Sequence, residues 1–329
     1  PAVAPPVLAP AAVVGRLRAV VCARVGTVTE GERATAAEQL ARLADAGVPG
    51  ADPSQWYGMT SVSTLEPLWS GDQHTVTLSP STLQTLTDCP LRWLAERHGG
   101  ANRRELRSTL GSVVHALIAD SASSSEQLSA QLEKLWSSLP FDSPWYADNE
   151  LDRHRAMLEA FVAWRSATRH ELTEIGTEID VDGVIADPDG QLPGVRVRGR
   201  VDRLERDAEG RLVIVDVKTG KSPVTKDAAQ RHAQLGLYQL AVAEGALAEG
   251  DRPGGGKLVY VAKPNTSGAT EREQSALTPD SAGQWRQTVQ EAAGATAGPH
   301  FVARVNDGCT HCPMRAACPA HISPRTEPS

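Results

Sequence analysis

No uninterrupted apolar run in the 329 residues comes near the roughly 20 that a membrane-spanning helix needs, so a helical membrane protein is not expected. The first residues, Pro-Ala-Val-Ala-Pro-Pro, lack both the basic stretch and the apolar core of a secretory leader. A soluble, cytoplasmic protein without a membrane partner is therefore expected. The chain opens on Pro1 and not on Met, as a piece of a longer protein would. A basic excess is missing too: 33 Lys and Arg stand against 40 Asp and Glu, a net charge of −7. No global positive field advertises a polyanion partner. Local clusters remain, at Arg92, Arg97, Arg103, Arg104 and Arg107, and again at Arg196, Arg198, Arg200 and Arg203. Cysteine is scarce and uneven. Of five, three (Cys309, Cys312 and Cys318) fall within ten residues, a pattern that reads as metal ligation and not as a secreted disulfide framework. A phosphate-binding loop is also absent. Thr219-Gly220-Lys221-Ser222 imitates the end of one, but the earlier glycine it requires would fall at Val215, in mid-strand. The chain carries no ATPase motor of its own.

What is present argues for a folded core, since 40% of residues are hydrophobic and the length suits one large domain or two ordinary ones. Residues 1–12 are Pro/Ala-rich and read as a linker. Val13 to Ala46 carries helical signals, with a start at Thr29-Glu30 and a stop at Gly47, while 48–75 is irregular. Residues 1–75 are thus expected to be a linker and helical appendage. A second segment, 76–322, opens at Thr75-Val76-Thr77-Leu78, where Ser79 suits an N-cap and Pro80 a first helical position. Helices are expected near 80–89, 107–119, 126–135, 151–170, 227–244 and 280–293. Strands are expected at 172–182, 194–205, 211–217 and 257–261, with loops at 248–256 and 264–278 and a tail at 323–329. Helices followed by strands with a crossover helix imply an α/β fold with a mixed central sheet.

The chemistry concentrates in Gly199-Arg200-Val201-Asp202 and in Val213-Ile214-Val215-Asp216-Val217-Lys218-Thr219-Gly220. Strand side chains alternate faces, so Leu212, Ile214, Asp216 and Lys218 share one side and one site can use both charged groups. Two carboxylates supply hard oxygen ligands for Mg²⁺ or Mn²⁺, and an ammonium beside them can steady charge on a phosphate. The plain alternative is a hairpin with charged edges turning at Asp207-Ala208-Glu209-Gly210. Four further residues follow the same order. His115 closes Gly111-Ser112-Val113-Val114-His115 on a helix, Glu178 sits in the strand 172–182, and Gln234 and Tyr238 lie four apart on one helical face.

In this order the set resembles the RecB-type branch of the PD-(D/E)xK nucleases, most specifically at Gly199-Arg200-Val201-Asp202-Arg203 and Asp216-Val217-Lys218-Thr219-Gly220. That resemblance implies a restriction-endonuclease-like core, a mixed central sheet flanked by helices. It implies that His115, Asp202, Asp216 and the Val217 carbonyl ligate Mg²⁺ or Mn²⁺, and that Lys218 is the catalytic lysine. Gln234 and Tyr238 would contact the substrate strand or brace the site, and Glu178 would be the family's acidic strand position. The cysteines add to the match. Cys309, Cys312 and Cys318, with Cys89 in Cys89-Pro90-Leu91-Arg92-Trp93, resemble the AddB-type staple, in which four thiolates hold a [4Fe–4S] cluster. The spacing alone equally admits zinc, as Cys₄ or as Cys₃His with His311. Cys22 has no partner signal and is expected to be a plain buried thiol. Residues 13–57, with Gly47-Val48-Pro49-Gly50-Ala51-Asp52-Pro53, look like what precedes the nuclease module in actinobacterial AdnAB-type helicase–nucleases. This implies an ATP-dependent, UvrD-like helicase region in the same polypeptide and a second helicase–nuclease subunit as heterodimer partner. The activity implied is exonuclease cleavage of single-stranded DNA fed from duplex ends, in end resection and homologous recombination. The rival readings are a catalytically silent nuclease-fold DNA-binding module and a free-standing Cas4-like exonuclease.

Overall fold

The computed structural model describes residues 9–56, 64–71, 74–100, 106–120, 123–141, 143–187, 194–266 and 268–321. The chain divides into two units at Leu65 and Glu66. The first holds α1 (Pro10–Val21) and α2 (Glu30–Asp45), the latter opened by a capping box in which Thr29 and Glu32 satisfy each other's backbone N–H. Gly47, at φ 73°, lets the chain turn out of this helix. Val14, Leu40, Ala51 and Trp56 form its small core, with the Arg18 guanidinium 4.8 Å above the Trp56 ring. Cys22 is exposed, because it caps the C-terminal end of α1 outside that core, so the expectation of a buried thiol is overturned.

In the second unit, six strands make one mixed sheet: β1 (Val76–Leu78), β2 (Thr173–Ile185), β3 (Val195–Arg206), β4 (Leu212–Lys218), β5 (Pro253–Asn265) and β6 (Gly268–Gln274). Their order is β1-β3-β4-β5-β6, with β2 antiparallel on the other edge of β3. Strand β4 explains the two-sided packing. Leu212 and Ile214 face α3 (Pro80–Asp88), α9 (Ala233–Ala243) and α10 (Pro279–Ala295), while Val213, Val215 and Val217 face α5 (Leu106–Ile118), α6 (Ser125–Trp136) and α7 (Pro144–Ala167). Burying each such side chain stabilises the fold by about 1.5–3 kcal/mol. The α/β fold with a mixed sheet between helices agrees with the sequence expectation.

Several boundaries differ from it. The segment 227–244 is two helices, α8 (Lys226–Gln230) and α9, broken at Arg231-His232 where His232 becomes an N-cap. Strand β5 begins at Pro253 and takes in three glycines, and β6 occupies part of the expected loop 264–278. Gly255, at φ 108°, lies so close to β6 that a Cβ would stand 2.8 Å from the Gln274 carbonyl. A short helix α4 (Pro90–Ala95) follows Cys89. No helix among the described residues is long and apolar enough to cross a membrane.

Candidate active site

Strands β3 and β4 part where the carboxylates begin. Their ladder runs from Arg206 opposite Leu212 to Arg203 opposite Val215 and stops, and that register would next oppose Asp202 to Asp216. Like charges directly opposed in a sheet repel. Beyond this point β4 continues only along β5, as far as Lys218 opposite Tyr260. Asp202 occupies the split. Its Oδ2 accepts the Val217 N–H at 2.8 Å and lies 3.3 Å from His115 Nδ1 on α5. Asp216 and Lys218 share a face, as strand parity requires, and Lys218 Nζ stands 2.7 Å from Asp216 Oδ2 and donates to Gln234 Oε1 at 2.9 Å.

The split also leaves part of one edge of β3, the edge away from β2, without a strand partner, since β1 covers only Val195 to Val197 and β4 only Arg203 to Arg206. Tyr238 fills that gap. Its hydroxyl accepts the Arg200 N–H at 3.0 Å and donates to the Arg200 carbonyl at 2.7 Å, as a neighbouring strand would. Gly199 has no room for a side chain: a Cβ there would lie 2.7 Å from the Tyr238 hydroxyl and 3.1 Å from Pro80 Cδ. Gly111 plays the matching part on α5, where a Cβ would come 3.1 Å from Thr219 Oγ1. The two glycines of the motifs thus set how closely helix and sheet approach the carboxylates.

Burial dominates the electrostatics. Asp216 is only 4% exposed, and loss of solvent pushes its carboxyl up to about 6; Lys218 opposes that rise and Asp202 adds to it. For His115, burial disfavours the charged ring, but the contact with Asp202 and the fields of both carboxylates outweigh it and raise its pKa. Burial likewise raises Tyr238 far above the ordinary phenol range, so it stays a neutral hydrogen-bonding group.

His115, Asp202, Asp216, Lys218 and Gln234 are therefore brought together, and Tyr238 braces β3. Val217 contributes its N–H to Asp202. Glu178 lies on β2 between the pairs Thr177–Arg203 and Ile179–Val201, hence level with Asp202, and its Oε2 is 3.6 Å from Arg200. It is the one non-glycine residue with positive φ among those described, at 51°, a conformation costing about 1–3 kcal/mol. His232 went unnoticed in the sequence. It lies two residues before Gln234, its Nδ1 is buried without a hydrogen-bond partner, and burial plus the Lys218 charge lowers it to about 4. Its place at a helix start, with no recognisable spacing, gave no signal.

The arginine clusters are mostly engaged. Arg196 pairs with Asp182 at 2.7 Å and Arg200 with Asp180 at 2.8 Å, while Arg203, 1% exposed, is held by Glu174 and Glu205 and is not open to a phosphate. Arg92 pairs with Glu96 at 2.6 Å. Arg103 and Arg104 lie outside the described residues, and the side chain of Arg107 does as well.

Asp216 Oδ2 is buried without a directed hydrogen bond, although the Lys218 ammonium lies against it, so this oxygen already faces a cation. In donor type, the carboxylates of Asp202 and Asp216 suit Mg²⁺ or Mn²⁺. Among the described residues, no three His, Cys, Asp or Glu side chains are gathered as a ready metal-holding group. This bears on the cysteines as well. Two hydrogen bonds join their two segments, from the Leu91 N–H to the Val302 carbonyl at 3.2 Å and from the Asn306 side-chain Nδ2 to the Asp88 carbonyl at 3.1 Å. Yet Cys89, Cys309, Cys312 and Cys318 are free thiols that do not converge on one cluster-sized point, so as they stand they do not fit [4Fe–4S].

The crystal structure of SSO0001 is similar over 75% of this chain and 87% of its own, at 15% identity and a TM-score of 0.37, too distant to carry an argument. No curated protein is similar enough to match the chain. The family profile described as the PD-(D/E)XK nuclease superfamily matches residues 77–319, which span the split strands, both motif glycines and all four cysteines discussed above. By that match over most of its length, the chain belongs to the PD-(D/E)XK nuclease superfamily.

Proposed function

We propose that this chain hydrolyses phosphodiester bonds in DNA at the split between β3 and β4. The observation that carries the reading is the meeting of Asp202, Asp216, His115 and Lys218 at one strand divergence, in a chain of a nuclease superfamily. Asp202, Asp216, His115 and the Val217 carbonyl would hold Mg²⁺ or Mn²⁺, which when bound polarises the phosphate and lowers the pKa of a coordinated water. The chain's own groups do the rest. Desolvated Asp216 directs its charge into the site instead of into solvent. Gln234 occupies one proton of the Lys218 ammonium, leaving others to meet charge that develops on the phosphate. His115 and the Val217 N–H fix the orientation of Asp202. Nothing in this set reads bases, so little sequence preference is expected.

The test is cleavage of a labelled single strand with Mn²⁺. Asp216→Ala and Lys218→Ala each lower the rate by about 10²–10³ or more, the cost of removing one preorganised charged group. Cutting at the unmodified rate by Asp216→Ala would refute the assignment, and cutting by neither variant nor parent would favour the catalytically silent DNA-binding module.

The finer reading rests on sequence resemblance. Residues 1–75 are the tail of an upstream ATP-dependent helicase region, 76–322 the nuclease domain, and 323–329 a tail. The whole acts with a second helicase–nuclease subunit in double-strand-break resection. In that reading the four cysteines carry [4Fe–4S] after rearrangement. Iron content and visible absorbance of anaerobically purified protein decide it, and stoichiometric zinc with no iron would replace the cluster by a Cys₄ or Cys₃His site.

A further inference from the structure

The cations of the sheet fall into two groups. On the β2–β3 side, Arg196, Arg198 and Arg200 face Asp180, Asp182 and Glu178, so that surface is a ladder of opposed charges. On the β4–β5–β6 side Lys257 is paired with Glu271 and Glu273, but the balance differs beyond the end of β4. Lys221, Lys226 and Lys263 are exposed, and among the described residues none has a carboxylate at ion-pair distance, not even Lys226, whose sequence neighbour Asp227 is also exposed.

Topology places these three along one edge. Strand β5 is parallel to β4 and runs on past Tyr260, the partner of Lys218, so Lys263 stands beyond the end of β4, where Lys218 emerges. The loop after β4 crosses that edge. Its Val224 N–H is bound by the Tyr260 hydroxyl at 3.2 Å and its Val224 carbonyl by Arg272 Nε of β6 at 2.8 Å. Lys221 sits on this loop, and Lys226 opens α8, which packs on β6. The Lys263 carbonyl is fixed by Thr270 Oγ1 at 2.7 Å. An exposed lysine normally gains little from a neighbouring carboxylate, so the absence of partners at these three lysines is not a stability feature. Unneutralised ammonium groups leading to a phosphodiester site complement a chain of phosphates.

We infer that Lys221, Lys226 and Lys263 form the track on which single-stranded DNA reaches Lys218, across the β4–β5–β6 edge and not over β2–β3. The track rests on the phosphodiesterase reading and adds the side from which the strand arrives.

The full chain carrying Asp216→Ala serves for binding without cutting, measured as anisotropy of a labelled oligothymidylate of about 20 nucleotides over a salt series. Adding Lys221→Gln, Lys226→Gln and Lys263→Gln lowers the slope of log affinity against log salt by about 2, since each phosphate contact to a single strand contributes about 0.7. Affinity at about 0.1 M salt falls about 10- to 100-fold. Arg196→Gln with Asp182→Asn, which deletes one opposed pair at constant net charge, leaves the slope unchanged. An unchanged slope in the lysine variant overturns the track, and so does a larger loss from the Arg196 and Asp182 pair. If the parent chain still cuts in either case, the nuclease reading stands. Lysine-dependent binding by a parent chain that never cuts keeps the track and removes the nuclease reading. No binding by the Asp216→Ala chain overturns the track.

Discussion

At the scale of single residues, the site is set by two groups that a water-exposed surface would not need. Asp216 is a carboxylate held away from solvent beside one ammonium, so Asp216→Asn removes both a desolvation cost and an ion pair. Lys218 is half-buried and can turn toward water. Lys218→Ala nevertheless leaves the buried Asp216 without its cation, so it should lower the unfolding free energy in denaturant by about 3 kcal/mol as well as cut cleavage by about 10³. Tyr238 stands in for a missing strand, and Tyr238→Phe leaves the Arg200 N–H and carbonyl without their partner, at about 1–3 kcal/mol in denaturant unfolding. Gly199→Ala alone meets the Tyr238 hydroxyl at 2.7 Å and should cost more than in the Tyr238→Phe background, where that atom is gone. A double-mutant cycle with additive costs would show that the hydroxyl does not exclude a side chain at Gly199.

At the scale of elements, helix α5 is seated by what it lacks. Gly111→Ala improves helix propensity by about 1 kcal/mol yet sets a methyl 3.1 Å from Thr219 Oγ1, pushing α5, and His115 with it, off the end of β4. Near-normal stability with cleavage reduced about tenfold or more is expected, and Thr219→Ala in the same chain should restore part of the rate. Equal activity of Gly111→Ala and parent would show that α5 can shift freely. The parity of Asp216 and Lys218 and the glycine spacings were legible because successive strand side chains take opposite faces even in a strand buried on both sides, as β4 is, and α5 has a fixed turn. Strand β6 was not legible. Its Glu271-Arg272-Glu273 run offers no apolar alternation, since it is an edge strand whose charges pair sideways with Lys257. The glycines at 254–256 read as a loop because their role is close backbone approach to β6, which no periodicity records. The break between α8 and α9 was hidden by good helix formers on both sides of Arg231-His232. In the site, Gln234 and Tyr238 could be placed on one face from their spacing, but which one touched Lys218 and which closed β3 depended on the gap between β1 and β4, a tertiary feature. Arg203, read from the sequence as one of a local basic cluster, is locked in the core by Glu174 and Glu205.

At the scale of the whole molecule, two histidines held neutral in separate parts of the second unit should each make the fold less stable in acid. His154, 2% exposed on α7, sits against the Trp136 ring with its Nδ1 at 2.6 Å from the Glu150 carbonyl, and burial lowers its pKa. His232, at the start of α9, is lowered to about 4, from an ordinary value of 6.5. In both, the unfolded chain binds the proton more readily than the folded one, so stability rises with pH through this range. Their contribution is complete above 6.5 and is lost as pH falls, for His232 down to about 4. His115 and Asp216 are raised, and so work in the opposite sense. Comparison of variants with the parent cancels those opposed groups. The drop in melting midpoint between about pH 7 and pH 5 should be smaller in His232→Gln than in the parent, and smaller again with His154→Gln added, even though the second change lowers stability at neutral pH by creating a poorer fit beside Trp136. A pH dependence as steep in the double variant as in the parent would mean that neither ring is held neutral by the fold, and that acid acts elsewhere.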